Sequence, residues 1–361
     1  MLAEADVYPK ELPPGYEFVI EDEPEFDPAI HLQLERPEQI WTLADLGYDE
    51  DFIARFASPI ALTTPARLLS KEGVAAMQHI AHQLQPYVRH NPTAKRVAAV
   101  LRGTTHRSKF MRDLCLSTDL TAFFSEMFQT PLMPHTVTHH QGHMNFAPRE
   151  VGRQVDTWHH DATAFDWVLM VHDPKTVKGG RFQVFNGTRQ EGWDLYKEHG
   201  DLPEDRVLTP AFPDAGYACY QQGCAVFHRA TKLEETGFRA SVVQSYVSRD
   251  IRFPDPNRAY FIANRNGPEA ALDPNYLLER NCSAVEWARH RAWISKAKLA
   301  RVLEKMPFSE TPDRVIQWLE EAVSDVNALV SQLKLGEVPS DVAQKMRDDL
   351  DERQVNQPLW P

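Results

Sequence analysis

The residues best suited to chemistry in this chain are a histidine and an aspartate two positions apart, His159 and Asp161. In an extended segment alternate side chains point to the same face, so these two side chains project together. A third candidate, His228, ends the apolar stretch 224–227 further along the chain. Two imidazoles and one carboxylate on one side of a metal leave the opposite side open, as at the Fe(II) sites that non-haem enzymes use for oxygen chemistry. The pattern therefore predicts that His159, Asp161 and His228 bind one metal ion.

A His-x-acid pair alone is weak evidence. With 15 histidines and 51 acidic residues in 361 positions, about two such pairs are expected by chance. The chain contains two, His159-x-Asp161 and His199-x-Asp201. The second lies in a polar run broken by Gly and Pro, which is typical of a loop. The first precedes the apolar run 165–171, which is rich in aromatic and β-branched residues and predicts a buried strand. Context therefore favours the first pair.

A third feature is an arginine two residues before a serine in another strand-like run, residues 237–247. Arg239 and Ser241 share one face of such a strand. A planar guanidinium binds a carboxylate through two parallel hydrogen bonds, and a neighbouring hydroxyl can add a third. This pair predicts a binding site for the far end of a dicarboxylate.

Together these residues resemble the iron ligands and cosubstrate-binding residues of the Fe(II)/2-oxoglutarate-dependent dioxygenases, nearest to the phytanoyl-CoA-hydroxylase-like branch. The segment 179–189 is similar to that branch's Gly-Gly, apolar strand, Pro-Gly-Ser-His run, with Asn186 in place of the proline and Arg189 in place of the histidine. The resemblance covers roughly residues 65 to 250.

The resemblance implies an oxidoreductase that uses Fe(II), 2-oxoglutarate as cosubstrate and O2. It implies that a small organic substrate is oxidised, with hydroxylation as the first expectation, and that succinate and CO2 are released. His159, Asp161 and His228 would hold the metal, while Arg239 and Ser241 would bind 2-oxoglutarate. Halogenating relatives carry Gly or Ala at the position of Asp161, so a carboxylate there implies hydroxylation or a related oxidation.

Two other classes of protein remain open. One is a cupin-like metal-dependent enzyme that does not use 2-oxoglutarate, and the other is a non-catalytic binding module whose C-terminal helices recruit a partner. Arg239 discriminates, because without a dicarboxylate a buried arginine at that position lacks a partner. For His159 or His228 taken singly, a hydrogen-bonded role in the core is the simpler interpretation.

Weaker candidates for contacts to substrate or cosubstrate precede the metal residues. The run 136–138 favours a strand, which would place His139, His143 and Asn145 on one face. A hydrogen-bonded core role is the alternative for His143 and Asn145. Arg102 lies in the most basic short segment, 101–109, and is a candidate for binding an anionic substrate; the alternative is a solvated loop.

Composition limits the class of partner. The chain has 42% hydrophobic and 25% charged residues, a net charge of −12 and a pI of about 5.7. An acidic balance without a basic run argues against nucleic acid or an anionic membrane as partner. The first residues lack the basic-then-apolar pattern of a secretory signal, and the apolar runs are too short to span a membrane. Four irregularly spaced cysteines indicate reduced thiols, so we expect a cytoplasmic protein that acts on a small molecule.

The pattern of elements predicts a mixed α and β, mainly β, fold: a double-stranded β-helix (a jelly-roll, cupin-like core) flanked by helices. We expect an N-terminal arm over 1–62 packed on the core, the oxygenase core over 63–260 with an insertion at 191–213, and a helical C-terminal extension over 261–361. Predicted helices cover 70–84 and 113–128, and in the extension 284–305, 311–336 and 342–350. The extension could pack on the core, form a homodimer or cover the substrate entrance, and the sequence does not choose among these.

Overall fold

The computed structural model describes residues 7–9, 11–90, 96–235, 237–253, 255–257 and 274–335, with side chains in the last range from Cys282 onwards. The chain divides into two compact units, Tyr16–Ser248 and a second unit composed of Met1–Gly15 and Arg249–Pro361. The first unit combines helices with antiparallel sheet, and all the predicted metal and cosubstrate residues belong to it.

The strands of the described residues lie in the first unit and form two sheets. They are β1 (Ile40–Thr42), β2 (Ile60–Thr63), β3 (Ala66–Arg67), β4 (Arg89–His90), β5 (Ala99–Leu101), β6 (Leu132–Pro134), β7 (His143–Phe146), β8 (Gln154–His159), β9 (Phe165–Met170), β10 (Phe182–Phe185), β11 (Val207–Leu208), β12 (Tyr217–Gln221), β13 (His228–Lys232) and β14 (Ala240–Ser248). The larger sheet has the order β1-β2-β12-β9-β14-β7-β5-β4, with β3 paired to β12 and β6 paired to β14. The smaller sheet has the order β11-β10-β13-β8.

From β7 onwards the chain passes repeatedly between the two sheets. Strands β7, β9, β12 and β14 belong to the larger sheet, and β8, β10, β11 and β13 belong to the smaller one. Each pairing among them is antiparallel. Successive strands alternate between the sheets, except that β10 and β11 are neighbours in the smaller one. Residues far apart in sequence therefore meet between the sheets.

The predicted strand at 165–171 is confirmed as β9, and its side chains alternate between two cores. Trp167 and Leu169 pack in the core beneath the helices, together with residues of α3 (Lys71–Gln83), α4 (Lys109–Cys115) and α5 (Thr118–Met127). Val168 and Met170 instead pack with residues of the smaller sheet. This period of two is what an extended strand imposes on its side chains. Trp167 is fully buried in the core beneath the helices.

The helix predicted over 70–84 is confirmed as α3, which Ser70 caps by accepting a hydrogen bond from the amide of Gly73. The single helix predicted over 113–128 is wrong, because α4 ends at Cys115 and α5 begins at Thr118. Ser117 has a ψ of 126° and its hydroxyl accepts a hydrogen bond from the amide of Leu120. A serine that caps a new helix cannot continue the preceding one.

The strand predicted over 136–138 is also wrong. Residues 138–140 form a 3-10 turn, and β7 begins only at His143. Gln141 stabilises the turn by donating a side-chain hydrogen bond to the carbonyl of His135 at 2.6 Å. Similarly, the apolar run 224–227 is a buried turn closed by hydrogen bonds to the carbonyl of Gln222, and β13 begins at His228. Hydrophobic composition alone cannot separate a buried turn from a strand.

Three further helices belong to the first unit: α1 (Pro28–His31), α2 (Glu50–Ile53) and α6 (Arg189–His199). The segment 191–213 holds most of α6, and its short strand β11 pairs with β10. Within residues 16–62, β1 pairs with β2, and Leu43 and Leu46 are buried.

The second unit contains two long helices, α7 (Pro274–Lys305) and α8 (Pro312–Leu335). The start predicted at Thr311-Pro312 is confirmed, whereas α7 begins ten residues before the predicted position 284. Lys298 of α7 forms ion pairs with Glu321 and Asp325 of α8 at 2.8 and 2.9 Å. The stop predicted at Gly336 and the helix predicted over 342–350 lie outside the described residues. Within the described parts of the chain, the helices are too short or too polar to cross a membrane.

Candidate metal centre

The structure brings His159, Asp161 and His228 together at the junction of β8 and β13. His159 is the last residue of β8, His228 is the first of β13, and the two are paired across the strands with ring centroids 4.1 Å apart. Asp161 follows β8 and places Oδ1 3.4 Å from His159 Nε2 and Oδ2 3.3 Å from His228 Nε2. The three ligand atoms lie within 4.8 Å of one another. Ligands at about 2.1 Å from one ion and at right angles to each other are about 3.0 Å apart, so a small shift completes the site.

The tautomers of both histidines suit metal binding. His159 Nδ1–H donates to the Thr157 carbonyl at 2.6 Å, and His228 Nδ1–H donates to the Val226 carbonyl at 3.0 Å. Because a carbonyl oxygen only accepts, each Nδ1 carries a proton, and in the neutral form of each ring Nε2 then carries the lone pair. Among the described residues, the buried Nε2 of His159 has no hydrogen-bond partner. Lone pairs directed at a carboxylate repel it unless a cation lies between them, so these residues fit a metal ion.

The charge states agree with this fit. Burial favours the neutral form of Asp161, but at acidic pH the positive charge of protonated His228, and hydrogen bonds from His159 and His228 in their protonated forms, hold the pKa of the Asp161 carboxyl well below the usual range. Burial, assisted by the charge of Arg96, lowers the pKa of the His159 imidazole. Asp161 is therefore a carboxylate and His159 a neutral imidazole, and these are the protonation states in which the two side chains bind metal.

The carboxyl group of Asp166 lies close to that of Asp161, and Gln221 contacts both. Gln221 donates its side-chain amide to Asp166 Oδ1 at 2.8 Å and lies 3.4 Å from Asp161 Oδ2. Burial, and then the charge of Asp161, raise the pKa of Asp166 well above the usual range. A Cβ on Gly223 would stand 2.2 Å from Asp166 Oδ2 and 2.8 Å from Asp161 Oδ2. Position 223 therefore has room only for glycine.

Arg96 contacts Oδ1 of Asp161, the oxygen that Gln221 does not contact. Its Nη2 donates to Asp161 Oδ1 at 3.2 Å, and its Nε donates to Asp156 Oδ1 at 3.0 Å. The Arg96 side chain is 37% exposed, whereas that of Asp156 is 8% exposed. Arg96 therefore reaches from solvent into the buried centre and neutralises two acidic groups there.

Arg239 is 2% exposed and lies at the start of β14. Its Nε donates to the Gly180 carbonyl at 3.2 Å, and its Nη1 donates to Ser241 Oγ at 3.3 Å, so the two side chains lie on one face of the strand; their binding of a dicarboxylate stays a prediction. Among the residues that the structure describes, no carboxylate forms an ion pair with Arg239. Burial lowers the pKa of its guanidinium to about 10, so it remains a cation at neutral pH.

The weaker candidates lie on the same sheet. In the larger sheet Asn145 pairs with Ser241, and His143 pairs with Val243. The buried Asn145 Oδ1 and His143 Nδ1 have no hydrogen-bond partner in the described part of the chain. Burial, and then the charge of Arg102, lower the pKa of His143 well below its ordinary value. Both side chains thus retain a polar atom that can bind a ligand.

Arg102 itself is half-buried and donates to the His139 carbonyl at 3.0 Å. The residues that follow it, 104–108, are buried, so the alternative of a solvated loop is wrong for most of this basic segment. Thr104 shows the reason, because its hydroxyl donates to the Gly142 carbonyl at 2.7 Å and ties the segment to the turn before β7.

Sequence reasoning missed the polar side chains that surround His159, Asp161 and His228. Arg96 follows no recognisable pattern, and Gln221 is the polar end of an otherwise apolar strand. Asp166 did carry a signal, because it is the only acid in β9, whose other five residues are apolar. An isolated acid in a buried strand is costly and therefore marks a specific contact.

No protein-family model and no curated protein matches this chain. Similar solved structures include the non-heme alpha ketoglutarate dependent epimerase SnoN from nogalamycin biosynthesis, at 17% identity over 57% of this chain and 82% of that one, with a TM-score of 0.39. EctD from S. alaskensis with 2-oxoglutarate and 5-hydroxyectoine matches at 17% identity over 67% and 87%, with a TM-score of 0.40. HygX from Streptomyces hygroscopicus with nickel, 2-oxoglutarate and hygromycin B matches at 14% identity over 56% and 88%, with a TM-score of 0.37.

Proposed function

We propose that this protein is an Fe(II)- and 2-oxoglutarate-dependent oxygenase that oxidises a small organic molecule. The observation that carries the proposal is a pair of sites in one unit. His159, Asp161 and His228 direct lone pairs and a carboxylate at one point, and Arg239 is a buried cation without a carboxylate partner among the described residues. A ketodiacid such as 2-oxoglutarate uses both, because one end chelates a metal and the other is a carboxylate.

We propose that the fold around this site is a double-stranded β-helix. The division of β7 to β14 into four strands of each antiparallel sheet supports this, since a jelly roll has eight strands in two sheets. The phytanoyl-CoA-hydroxylase-like branch remains part of the proposal. Gly179 and Gly180 have φ of 80° and 62°, and this backbone turns the Gly180 carbonyl toward Arg239.

The residues of the chain have distinct roles in this proposal. The carbonyls of Thr157 and Val226 hold the two imidazoles in the tautomer that leaves Nε2 unprotonated. Iron, when bound there, would supply the activation of O2, while oxidative decarboxylation of 2-oxoglutarate would supply two of the four electrons that reduce O2 and the substrate the other two. Arg239, with Ser241, binds the distal carboxylate and so fixes the orientation of the keto acid on the metal. In the balanced reaction, 2-oxoglutarate, O2 and the substrate give succinate, CO2 and the substrate with one added oxygen atom.

Burial serves the same chemistry. His159 and His228 are each 5% exposed, so bulk water reaches the centre only from its open side. Arg96 and Gln221 contact opposite oxygens of Asp161 and restrict the rotation of its carboxylate. A ligand held in this way keeps its geometry when the other positions on the metal exchange.

The test is anaerobic loading with Fe(II) followed by addition of 2-oxoglutarate. We expect a visible charge-transfer absorption when the keto acid binds, and succinate formation when O2 is admitted, with a panel of small acids, amino acids and natural-product scaffolds as candidate substrates. Bound iron without the absorption band or succinate would indicate a cupin-like enzyme with another cosubstrate. The absence of bound iron would indicate a binding module. Either outcome overturns the proposal.

A further inference from the structure

Helix α8 of the second unit carries two faces, and the more apolar of them is the more exposed. The buried face contains Trp318, Ala322, Asp325, Leu329 and Gln332. Two of these five residues are polar, and Asp325 forms ion pairs with Lys298 and Arg291 of α7 at 2.9 and 3.3 Å. This face therefore packs on α7 partly through charge.

The second face is apolar at every position, and its residues are Ile316, Leu319, Val323, Val326, Val330 and Leu333. Ile316 is 53% exposed, Leu319 45%, Val330 41% and Leu333 39%, while the two central valines are half-buried. At about 100° per residue this face lies about 110° around the helix from the face that contacts α7. It is about 26 Å long.

The spacing of the six residues is that of a coiled-coil seam. They step by three and four in strict alternation, which makes Ile316, Val323 and Val330 the a positions and the other three the d positions. An unbroken repeat of apolar residues at the a and d positions is the pattern by which one helix packs against another along its length. This face is therefore suited to one partner helix of similar composition.

We propose that the partner is α8 of a second copy of this chain, packed antiparallel to form a homodimer. In the antiparallel register Ile316 lies opposite Leu333 of the second copy, Leu319 opposite Val330, and Val323 opposite Val326. The six residues thus match one another about a two-fold axis, as a closed dimer requires.

The charges beside the seam select this orientation. The e positions are Asp313, Glu320, Asn327 and Lys334, and Asp313 and Lys334 are exposed. In an antiparallel pair e positions of the two helices face each other, so Asp313 lies beside Lys334 of the second copy, and Glu320 lies beside Asn327. The contact contains two opposite-charge pairs and no like-charge pair. In a parallel pair the e positions would instead face Val315, Ala322 and Leu329, which offer no charge.

The first experiment is sedimentation velocity of the full-length chain over a range of concentrations. We expect reversible dimerisation that Val330→Asp weakens at least tenfold, because the aspartate is desolvated in the seam. The neighbouring change Ser331→Asp adds the same charge outside the seam and should leave dimerisation unaltered. A monomer at every soluble concentration, or a dimer indifferent to Val330→Asp, overturns the proposal. Circular dichroism shows that each variant keeps its helices.

The second experiment tests the orientation. When Val323→Cys and Val326→Cys proteins are mixed and oxidised, an antiparallel pair gives mainly the mixed disulfide between positions 323 and 326. A parallel pair gives mainly disulfides between identical positions, and that result overturns the antiparallel arrangement. Lys334→Asp should weaken the dimer several-fold, and Asp313→Lys added to it should restore the affinity. Failure of this restoration, with helix content unchanged, also contradicts the register. These tests do not depend on iron or 2-oxoglutarate.

Discussion

The variant Arg239→Met separates two effects of the Arg239 cation. One is the cost of its burial in folding stability, and the other is its proposed contribution to binding 2-oxoglutarate. The side chain is 2% exposed, and its hydrogen bonds are to the neutral Gly180 carbonyl and Ser241 hydroxyl. Burial lowers the pKa of the guanidinium from 12.5 to about 10. Because the group is protonated at neutral pH in both the folded and the unfolded protein, the folded state alone carries this cost. A lowering of this size corresponds to about 3 kcal/mol.

The expected change in stability follows from two opposing effects. Methionine fills much of the arginine's volume and removes the buried charge, but it also removes two hydrogen bonds worth about 1 kcal/mol each. Without 2-oxoglutarate, Arg239→Met should therefore be between unchanged and about 2 kcal/mol more stable than the wild type, a rise in Tm of up to about 8 °C for a unit of this size. An arginine held in a buried ion pair would instead lose about 3 to 5 kcal/mol on truncation.

The assay is thermal unfolding of the metal-loaded protein with and without 2-oxoglutarate, in the absence of O2. At a ligand concentration of 100 times Kd the wild type should gain about 2.7 kcal/mol. Loss of a buried contact between a guanidinium and a carboxylate costs about 2 to 5 kcal/mol, so the variant should gain less than about 1 kcal/mol at that concentration. A variant that is 3 kcal/mol less stable without ligand, or that keeps the full gain, refutes the reasoning.

Arg229→Met is the matched control. Arg229 forms an ion pair with Asp201 at 2.9 Å and lies over the Trp158 ring at 4.6 Å. Its charge is already compensated, and Asp201 is 58% exposed. We expect a loss of about 1 kcal/mol in stability and an unchanged response to 2-oxoglutarate.

Three further predictions concern the rest of the first unit. Gly223→Ala should weaken Fe(II) binding in anaerobic titration at least about tenfold, because the new Cβ would stand 2.2 Å from Asp166 Oδ2; an unchanged affinity contradicts this. His228→Ala should weaken Fe(II) binding about 100-fold or more, while His199→Ala, from the other His-x-Asp pair, should leave it unaltered. Burial lowers the pKa of His172 from 6.5 to about 4, so the unfolded chain takes up a proton there before the folded protein does. The contribution of His172 to the free energy of unfolding is therefore present above pH 6.5 and is lost as the pH falls toward 4. Over this range the wild type should lose about 3 kcal/mol more than His172→Asn, as measured by urea unfolding. The same pH dependence of unfolding in both proteins would contradict this.

The predictions from sequence that were confirmed rest on local periodicity. The alternation of polar and apolar side chains fixes which residues share a face of a strand, so Arg239 and Ser241 could be paired without knowledge of the fold. The continuous run of apolar, aromatic and β-branched residues at 165–171 likewise identified a strand buried on both faces, β9. The placing of His159 and Asp161 on one face follows from the same spacing, although Asp161 lies beyond the end of β8. Ser70 could be recognised as a cap because capping involves only the next three residues.

Tertiary structure decided what surrounds these residues. Hydrophobic composition could not show that 224–227 is a turn, because burial satisfies an apolar run in either conformation. Asp166, Gln221 and Gly223 reach Asp161 only because β9 and β12 are neighbours in the larger sheet and the turn after β12 folds back over them. Strand order is set by the packing of the whole sheet, and no window of sequence contains it. The sequence by itself thus determined the types and local spacing of the candidate ligand residues, whereas the fold alone determined which distant groups affect their charge and orientation.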